Sequence, residues 1–273
     1  MESVDAPCIL RVWHGLCIPA VLLSAKPGIE RKYQRKSVLK RITKNSKEGN
    51  GMNCILRSEN IRKTYESSSV KVNALNGIDL QFAKGRFYSV IGRSGSGKST
   101  LLYILSGLDQ PTGGKVYFEG KDLSEYSDGQ MAIFRRRHMG FVFQQYNLME
   151  EYNVLENICM PVKLDQRKPD PEFLQTVLET LGLEDKQKKY ASELSGGEQQ
   201  RVAIARSILS KPKIIFADEP TGNLDKKTAL ETLELLIESA KKFGQTLIIV
   251  THDLEVARMS EVVITIEDGR VIG

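Results

Sequence analysis

Cysteine, tryptophan and long apolar runs are all scarce in this 273-residue chain. Its 4 cysteines are scattered, with no CxxC pair and no histidine cluster nearby, so neither a zinc site nor a redox pair is supported. Such usage fits a reducing compartment, where a buried thiol behaves as a small hydrophobe. Trp13 is the single tryptophan. The apolar run Val12 to Ala25 is interrupted by His14, Gly15 and Pro19, and falls short of the ~20 residues that span a bilayer. Glu2 and Asp5 offset Arg11 ahead of it, which also makes a poor secretory leader. No internal repeat or low-complexity tract is present, which excludes a solenoid.

What is there is an ordinary globular composition, 41% hydrophobic and 27% charged, against wholesale disorder. A formal net charge of +5 suggests an acidic partner until its distribution is read. Residues 1–51 carry 10 basic and 4 acidic side chains, whereas residues 52–273 carry 29 and 30, a net of −1. The remainder therefore offers no basic stripe for nucleic acid. Residues 1–51 read as a basic N-terminal extension, expected to be non-native or disordered, with translation starting at Met52. Lys47-Glu48-Gly49 supports this, because its codons can contain a purine-rich ribosome-binding site. N-terminal mass spectrometry of the native protein tests that expectation.

From residue 53 onward, β-rich runs alternate with helical ones. Strands are expected at Phe87–Ile91, Met139–Phe143, Ile214–Ala217, Thr246–Val250 and Val262–Ile266. Helices are expected near Lys98–Leu108, Asp170–Leu181, Gly197–Leu209, Lys226–Phe243 and Leu254–Met259. Four of the strands are nearly continuous apolar runs, as in strands covered on both faces. The fold class is α/β with a largely parallel sheet. Arg135-Arg136-Arg137 reads as the solvated end of a helix.

The strand Phe87–Ile91 runs into Gly92-Arg93-Ser94-Gly95-Ser96-Gly97-Lys98-Ser99-Thr100 and then a helix. This is the GxxxxGK[ST] phosphate loop in its required context. The glycines let backbone N–H groups wrap phosphate oxygens at a helix N-terminus. Lys98 is expected to reach the β- and γ-phosphates, and the Ser99 hydroxyl to coordinate Mg²⁺. Ile214-Ile-Phe-Ala-Asp218-Glu219-Pro220 supplies carboxylates at the end of a buried strand. Asp218 is expected to hold Mg²⁺ through water, and Glu219 to orient or deprotonate the attacking water.

Further ordered motifs make the chain resemble the ATP-binding-cassette ATPases over residues 53–273. Leu194-Ser195-Gly196-Gly197-Glu198 looks like that family's LSGGQ motif, with Glu198 in place of Gln, and is followed by its helix to Arg206. The same residues also read as a capping box. Phe143-Gln144 looks like the Q-loop, Gly222-Asn-Leu-Asp225 like the D-loop and Val250-Thr-His252-Asp253 like the switch histidine. Tyr65 stands where the family places an aromatic against adenine, though it also reads as a packed strand residue.

The resemblance implies a phosphate-loop nucleotide-binding domain over 52–273, with an antiparallel β-subdomain and a helical subdomain at about 150–195. It implies a head-to-tail homodimer sandwiching two ATP molecules. There the Ser195-Gly196-Gly197 loop of one subunit, with Asp225 nearby, faces the γ-phosphate held by Lys98 of the other. Glu219 and His252 would position water and γ-phosphate, and Gln144 would touch Mg²⁺ or water.

A narrower resemblance lies in Val72–Leu80, Gly140–Leu148 and Ala217–Asp225. It is to the lipoprotein-release, macrolide-export and antimicrobial-peptide-resistance ATPases, a subgroup with a cell-division relative. This implies a peripheral ATPase at the cytoplasmic face of the cell membrane, powering a separate permease with an extracytoplasmic domain. Export or expulsion of peptide, lipoprotein or drug substrates is expected. The alternative is a cell-division or signalling complex without cargo transport. Genome-maintenance relatives are disfavoured, because only 51 positions separate Gln144 from Ser195, too few for a coiled-coil insertion.

Overall fold

The structure, a computed structural model, describes residues 53–67 and 70–273. The expectations for residues 1–51 and for a start at Met52 lie outside the described residues.

Two sheets share one core. The first is antiparallel, in the order β2-β1-β4-β5, from β1 (Cys54–Ser67), β2 (Val70–Ala83), β4 (Gly113–Phe118) and β5 (Lys121–Asp122). The second has the order β10-β9-β3-β8-β7-β6. Its parallel body is β3 (Phe87–Ile91), β6 (Met139–Phe143), β7 (Ile214–Asp218), β8 (Thr246–Thr251) and β9 (Val262–Glu267). A short antiparallel β10 (Arg270–Val271) closes one edge. Seven α-helices are described: α1 (Lys98–Leu105), α2 (Asp128–His138), α3 (Val154–Leu164), α4 (Pro171–Leu181), α5 (Gly196–Leu209), α6 (Lys226–Lys242) and α7 (Leu254–Met259).

The parallel strands are buried on both faces, as their apolar runs predict. Along β7, Ile214 and Phe216 join the antiparallel sheet and α1 in one cluster. Ile215 and Ala217 point the other way, into a cluster with α3, α4, α5 and α6. All 6 residues of β8 are buried.

The expected strands coincide with the observed ones to within one residue, but other features differ. The α1 helix stops at Leu105 rather than 108, because Gly107 adopts φ 66, a left-handed stop after the Ser106 cap. The 14-residue strands β1 and β2 were not visible as alternation, because register shifts after Ser58 and Lys63, with Asn60 at φ 47, break the period of two. Helix α3 hides because Pro161 inside it reads as a breaker, although Asn153 and Glu156 form a complete capping box at its start.

The three arginines at the end of α2 are ties between elements as well as a partly solvated end, with Arg137 54% exposed. Arg137 Nε donates to both Asp165 carboxylate oxygens at 2.9 and 3.0 Å. Arg136 lies 3.4 Å and Arg167 2.7 Å from that carboxylate, whose side chain is only 1% exposed. Arg135 donates to the Gly107 carbonyl at the end of α1.

Candidate functional site

Strand register assembles the site. Ile91 lies opposite Thr251, Val250 opposite Asp218, and Asp218 opposite Phe143. The residues that leave the sheet next, Gly92, His252, Glu219 and Gln144, therefore emerge side by side at the carboxyl ends of β3, β8, β7 and β6. That edge is where open parallel sheets bind ligands.

Behind β3 the backbone turns tightly. A Cβ on Gly97, at φ 100, would sit 2.4 Å from the Ala74 carbonyl oxygen, and one on Gly92 would sit 2.2 Å from that of Ile266. Only glycine fits that close approach. Arg93, Ser94 and Gly95 stand exposed at the tip, while Ser96 and Lys98 are buried. Lys98 Nζ donates to the Gly92 and Arg93 carbonyls at 3.0 and 2.9 Å, curled against the loop it would serve. The Ser96 hydroxyl is buried with no hydrogen-bond partner, a spare polar group of the kind an anion cradle offers. Thr100 lies in the first turn of α1, half-buried.

Ser99 Oγ donates to Asp218 Oδ1 at 2.9 Å across the gap between α1 and β7. The other oxygen, Oδ2, accepts from the Tyr103 hydroxyl at 2.8 Å. Burial first, then the hydrogen bond to Asp218, push the Tyr103 phenol up to about 12, so it is a donor at neutral pH. A hydroxyl and a carboxylate form a hard oxygen pair. No group of three His, Cys, Asp or Glu able to hold a metal occurs among the described residues. Such a donor set suits Mg²⁺, which keeps several waters and takes oxygens from a phosphate substrate.

Glu219 adopts φ 46, a left-handed conformation uncommon outside glycine, directly after the Asp218 strand end. The turn aims its carboxylate at β8: Oε1 lies 2.9 Å from His252 Nδ1, and Oε2 accepts from Thr251 Oγ1 at 3.2 Å. A carboxylate acceptor requires the proton on Nδ1, leaving Nε2 of a neutral imidazole as an acceptor. Glu219 is mostly covered, whereas His252 is 73% exposed.

Gln144 emerges beside them, but its amide is engaged elsewhere. Nε2 donates to Asn223 Oδ1 at 2.9 Å, and Asn223 Nδ2 donates back to the Gln144 carbonyl at 3.0 Å. Tyr65 is not packed into the sheet: its ring is exposed, and its hydroxyl donates to Asp109 Oδ2 at 2.8 Å. Lys63 Nζ holds the other Asp109 oxygen at 2.7 Å and lies 4.8 Å from the Tyr65 ring centroid.

Ser195 caps α5, whose first two residues are Gly196 and Gly197. The Ser195 backbone N–H and hydroxyl both donate to Glu198 Oε2, at 2.8 and 2.9 Å, completing a capping box. A Cβ on Gly197 would lie 2.4 Å from Thr228 Cγ2, so glycine permits α5 to approach α6. Asp225 caps α6, accepting from the backbone N–H groups of Lys227 and Thr228 at 3.1 Å. No hydrogen bond joins Ser195 or Asp225 to the phosphate loop among the described residues. One chain thus brings together the phosphate loop, Asp218, Glu219 and His252, with no hydrogen bond among the described residues from the Ser195 loop to the phosphate loop.

Tyr103, Thr251 and Asn223 were not singled out in the sequence. Tyr103 stands four residues after Ser99, a spacing that puts both on one helix face. Asn223 lies 79 positions from Gln144, and nothing local signals that pairing.

The family profile described as ABC transporter matches residues 75–222. The lipoprotein-releasing system ATP-binding protein LolD of Aquifex aeolicus is 44% identical over 222 residues, 80% of this chain and 96% of that protein. The bacitracin export ATP-binding protein BceA of Halalkalibacterium halodurans is 41% identical over 220 residues, 80% of this chain and 87% of that protein. A bacterial ABC transporter cassette solved as a dimer superposes with a TM-score of 0.73 at 39% identity, covering 80% of this chain and 97% of that one. The chain belongs to the ABC transporter family and carries its ATP-binding cassette, an ATPase domain.

Proposed function

We propose that this chain is the ATP-hydrolysing subunit of a transporter that expels peptide, lipoprotein or drug substrates. It would work as a peripheral homodimer at the cytoplasmic face of the membrane, on a separate permease with an extracytoplasmic domain. The observation that carries this reading is the side-by-side emergence of the phosphate loop, Asp218, Glu219 and His252 from adjacent strands, while the Ser195 loop is bonded to Glu198. A second copy arranged head to tail would supply that missing loop. Support for the dimer comes from the related cassette solved in dimeric form, 39% identical. Support for the transport role comes from the relatives named for lipoprotein release and bacitracin export. Among the described residues no helix is long and apolar enough to cross a membrane, in keeping with a permease on another chain.

In this reading ATP is the substrate. Backbone N–H groups from Gly95 to Thr100, the Ser96 hydroxyl and Lys98 bind its phosphates. Tyr65, anchored through Asp109, offers a ring face to adenine. Ser99 and Asp218 would hold Mg²⁺, with the amide oxygen of Gln144, whose nitrogen is bonded to Asn223, as a further ligand. The ion would neutralise charge on the phosphate oxygens. Glu219 takes a proton from the attacking water, and His252 is positioned at the γ-phosphate by the same carboxylate. Ser195 and the first N–H groups of α5 from the partner subunit complete the anion cradle.

The test is the Glu219→Gln variant with Mg-ATP, followed by light scattering on a sizing column. Dimers that accumulate with ATP and disappear with ADP are expected. A variant that stays monomeric under both conditions while still binding ATP overturns the sandwich reading.

A further inference from the structure

A carboxylate that is to hold a divalent ion must present one oxygen in a fixed direction. Asp218 is the last residue of β7, and the chain turns sharply at Glu219 immediately behind it. Its side chain is held by two hydroxyls from a single helix, Ser99 on Oδ1 at 2.9 Å and Tyr103 on Oδ2 at 2.8 Å. Ser99 and Tyr103 are four apart on α1, hence one turn apart on the same face. The two bonds differ in kind. Ser99 is itself a candidate cation ligand, whereas the Tyr103 ring packs against the main core cluster and cannot follow an ion.

We infer that Tyr103 is a positioning residue for the metal site, orienting Asp218 by holding Oδ2 so that Oδ1 faces the cation beside Ser99. This rests on the assignment of Asp218 to Mg²⁺ above. Without the phenol, Oδ2 loses its donor, and only the Ser99 bond to Oδ1 restrains rotation of the carboxylate about its terminal bond. The consequence falls on divalent-ion binding rather than on capture of the phosphates, which rests with Lys98 and the loop backbone.

The experiment uses the full chain, ATP and Mn²⁺ as a paramagnetic probe. Bound Mn²⁺ is counted by electron paramagnetic resonance, and metal-free ATP binding is measured by calorimetry in EDTA. Tyr103→Phe keeps the ring and removes only the hydroxyl. It is expected to weaken Mn²⁺ binding to the ATP-loaded protein roughly fivefold to tenfold. Metal-free ATP affinity should stay within about twofold. In an Asp218→Asn background, Tyr103→Phe should have no further effect on Mn²⁺, because its partner is already altered.

Unchanged Mn²⁺ affinity in Tyr103→Phe overturns the inference, as does an equal loss with and without metal, which would make Tyr103 a packing residue. Additive losses in the double variant also overturn it. If Asp218→Asn itself leaves Mn²⁺ binding intact, the metal role of Asp218 fails. If Asp218→Asn weakens binding and Tyr103→Phe does not, only the role of Tyr103 fails.

Discussion

Two helices of this chain begin at glycines and are satisfied in opposite ways. The first, α1, follows Gly97 at φ 100, with no side-chain cap and no acidic residue in its first turn. The second, α5, follows Ser195, whose hydroxyl and backbone N–H are tied to Glu198 in a complete capping box. A helix N-terminus carries unpaired N–H groups and a partial positive charge, so leaving one uncapped beside a buried lysine keeps it ready for an anion. The capped end is stable by itself and must exchange its own partners to meet a phosphate. In the proposed head-to-tail dimer, one half of the site would receive ATP within a single chain, and the other would respond when a second subunit brings the phosphate to it.

The sharpest way to break that contrast is to remove chemistry from the first half. Glu219→Gln should lower steady-state ATP turnover by about 10²–10⁴-fold in a phosphate-release assay while leaving ATP binding intact. Lys98→Ala should weaken ATP binding itself, by about 10–100-fold in calorimetry, through loss of charge-assisted hydrogen bonds.

Ser195→Ala should act differently. Loss of the cap should cost about 1 kcal/mol, a fall of about 2–4 °C in melting temperature. ATP affinity of the isolated subunit should hold, and only the ATP-dependent dimer should weaken. An affinity loss as large as that of Lys98→Ala would erase the distinction between the two helix ends.

The smallest effect is expected from Glu198→Gln, since glutamine also completes a capping box. What it removes is charge, including the contact with Lys186 at 3.5 Å. The backbone N–H of Ser195, ahead of its hydroxyl and Lys186, holds the Glu198 carboxyl below its ordinary 4.5. A lowered folded-state pKa gives stability that is present above 4.5 and lost as pH falls through the lower folded value. At pH 7 the parent should therefore melt higher than Glu198→Gln, by no more than about 2 °C. The two curves should converge in acid, as thermal unfolding from pH 7 to 3 would show.

Much of this molecule was legible because the deciding features are local. A glycine loop between an apolar strand and a helix, Asp218-Glu219 closing a run of four buried residues, and Ser195 three before Glu198 each carry their physics within a few positions. Other features were not. The β1–β2 pair lost its alternation to bulges, and α3 was masked by Pro161. The arginines of α2 gave no hint of Asp165, because an ion cluster depends on where another segment passes.

The sequence by itself determined the class of chemistry, since phosphate loop, carboxylate strand end and capped glycine helix need particular residue types at particular spacings. Tertiary structure alone decided who meets whom. Parallel register aligns Gly92, His252, Glu219 and Gln144, drawn from four strands far apart along the chain. It also sets Tyr103 on Asp218, Asn223 on Gln144 and Glu219 on His252. Hydrogen bonds act over about 3 Å, a distance that only the packed sheet and helices can bring about.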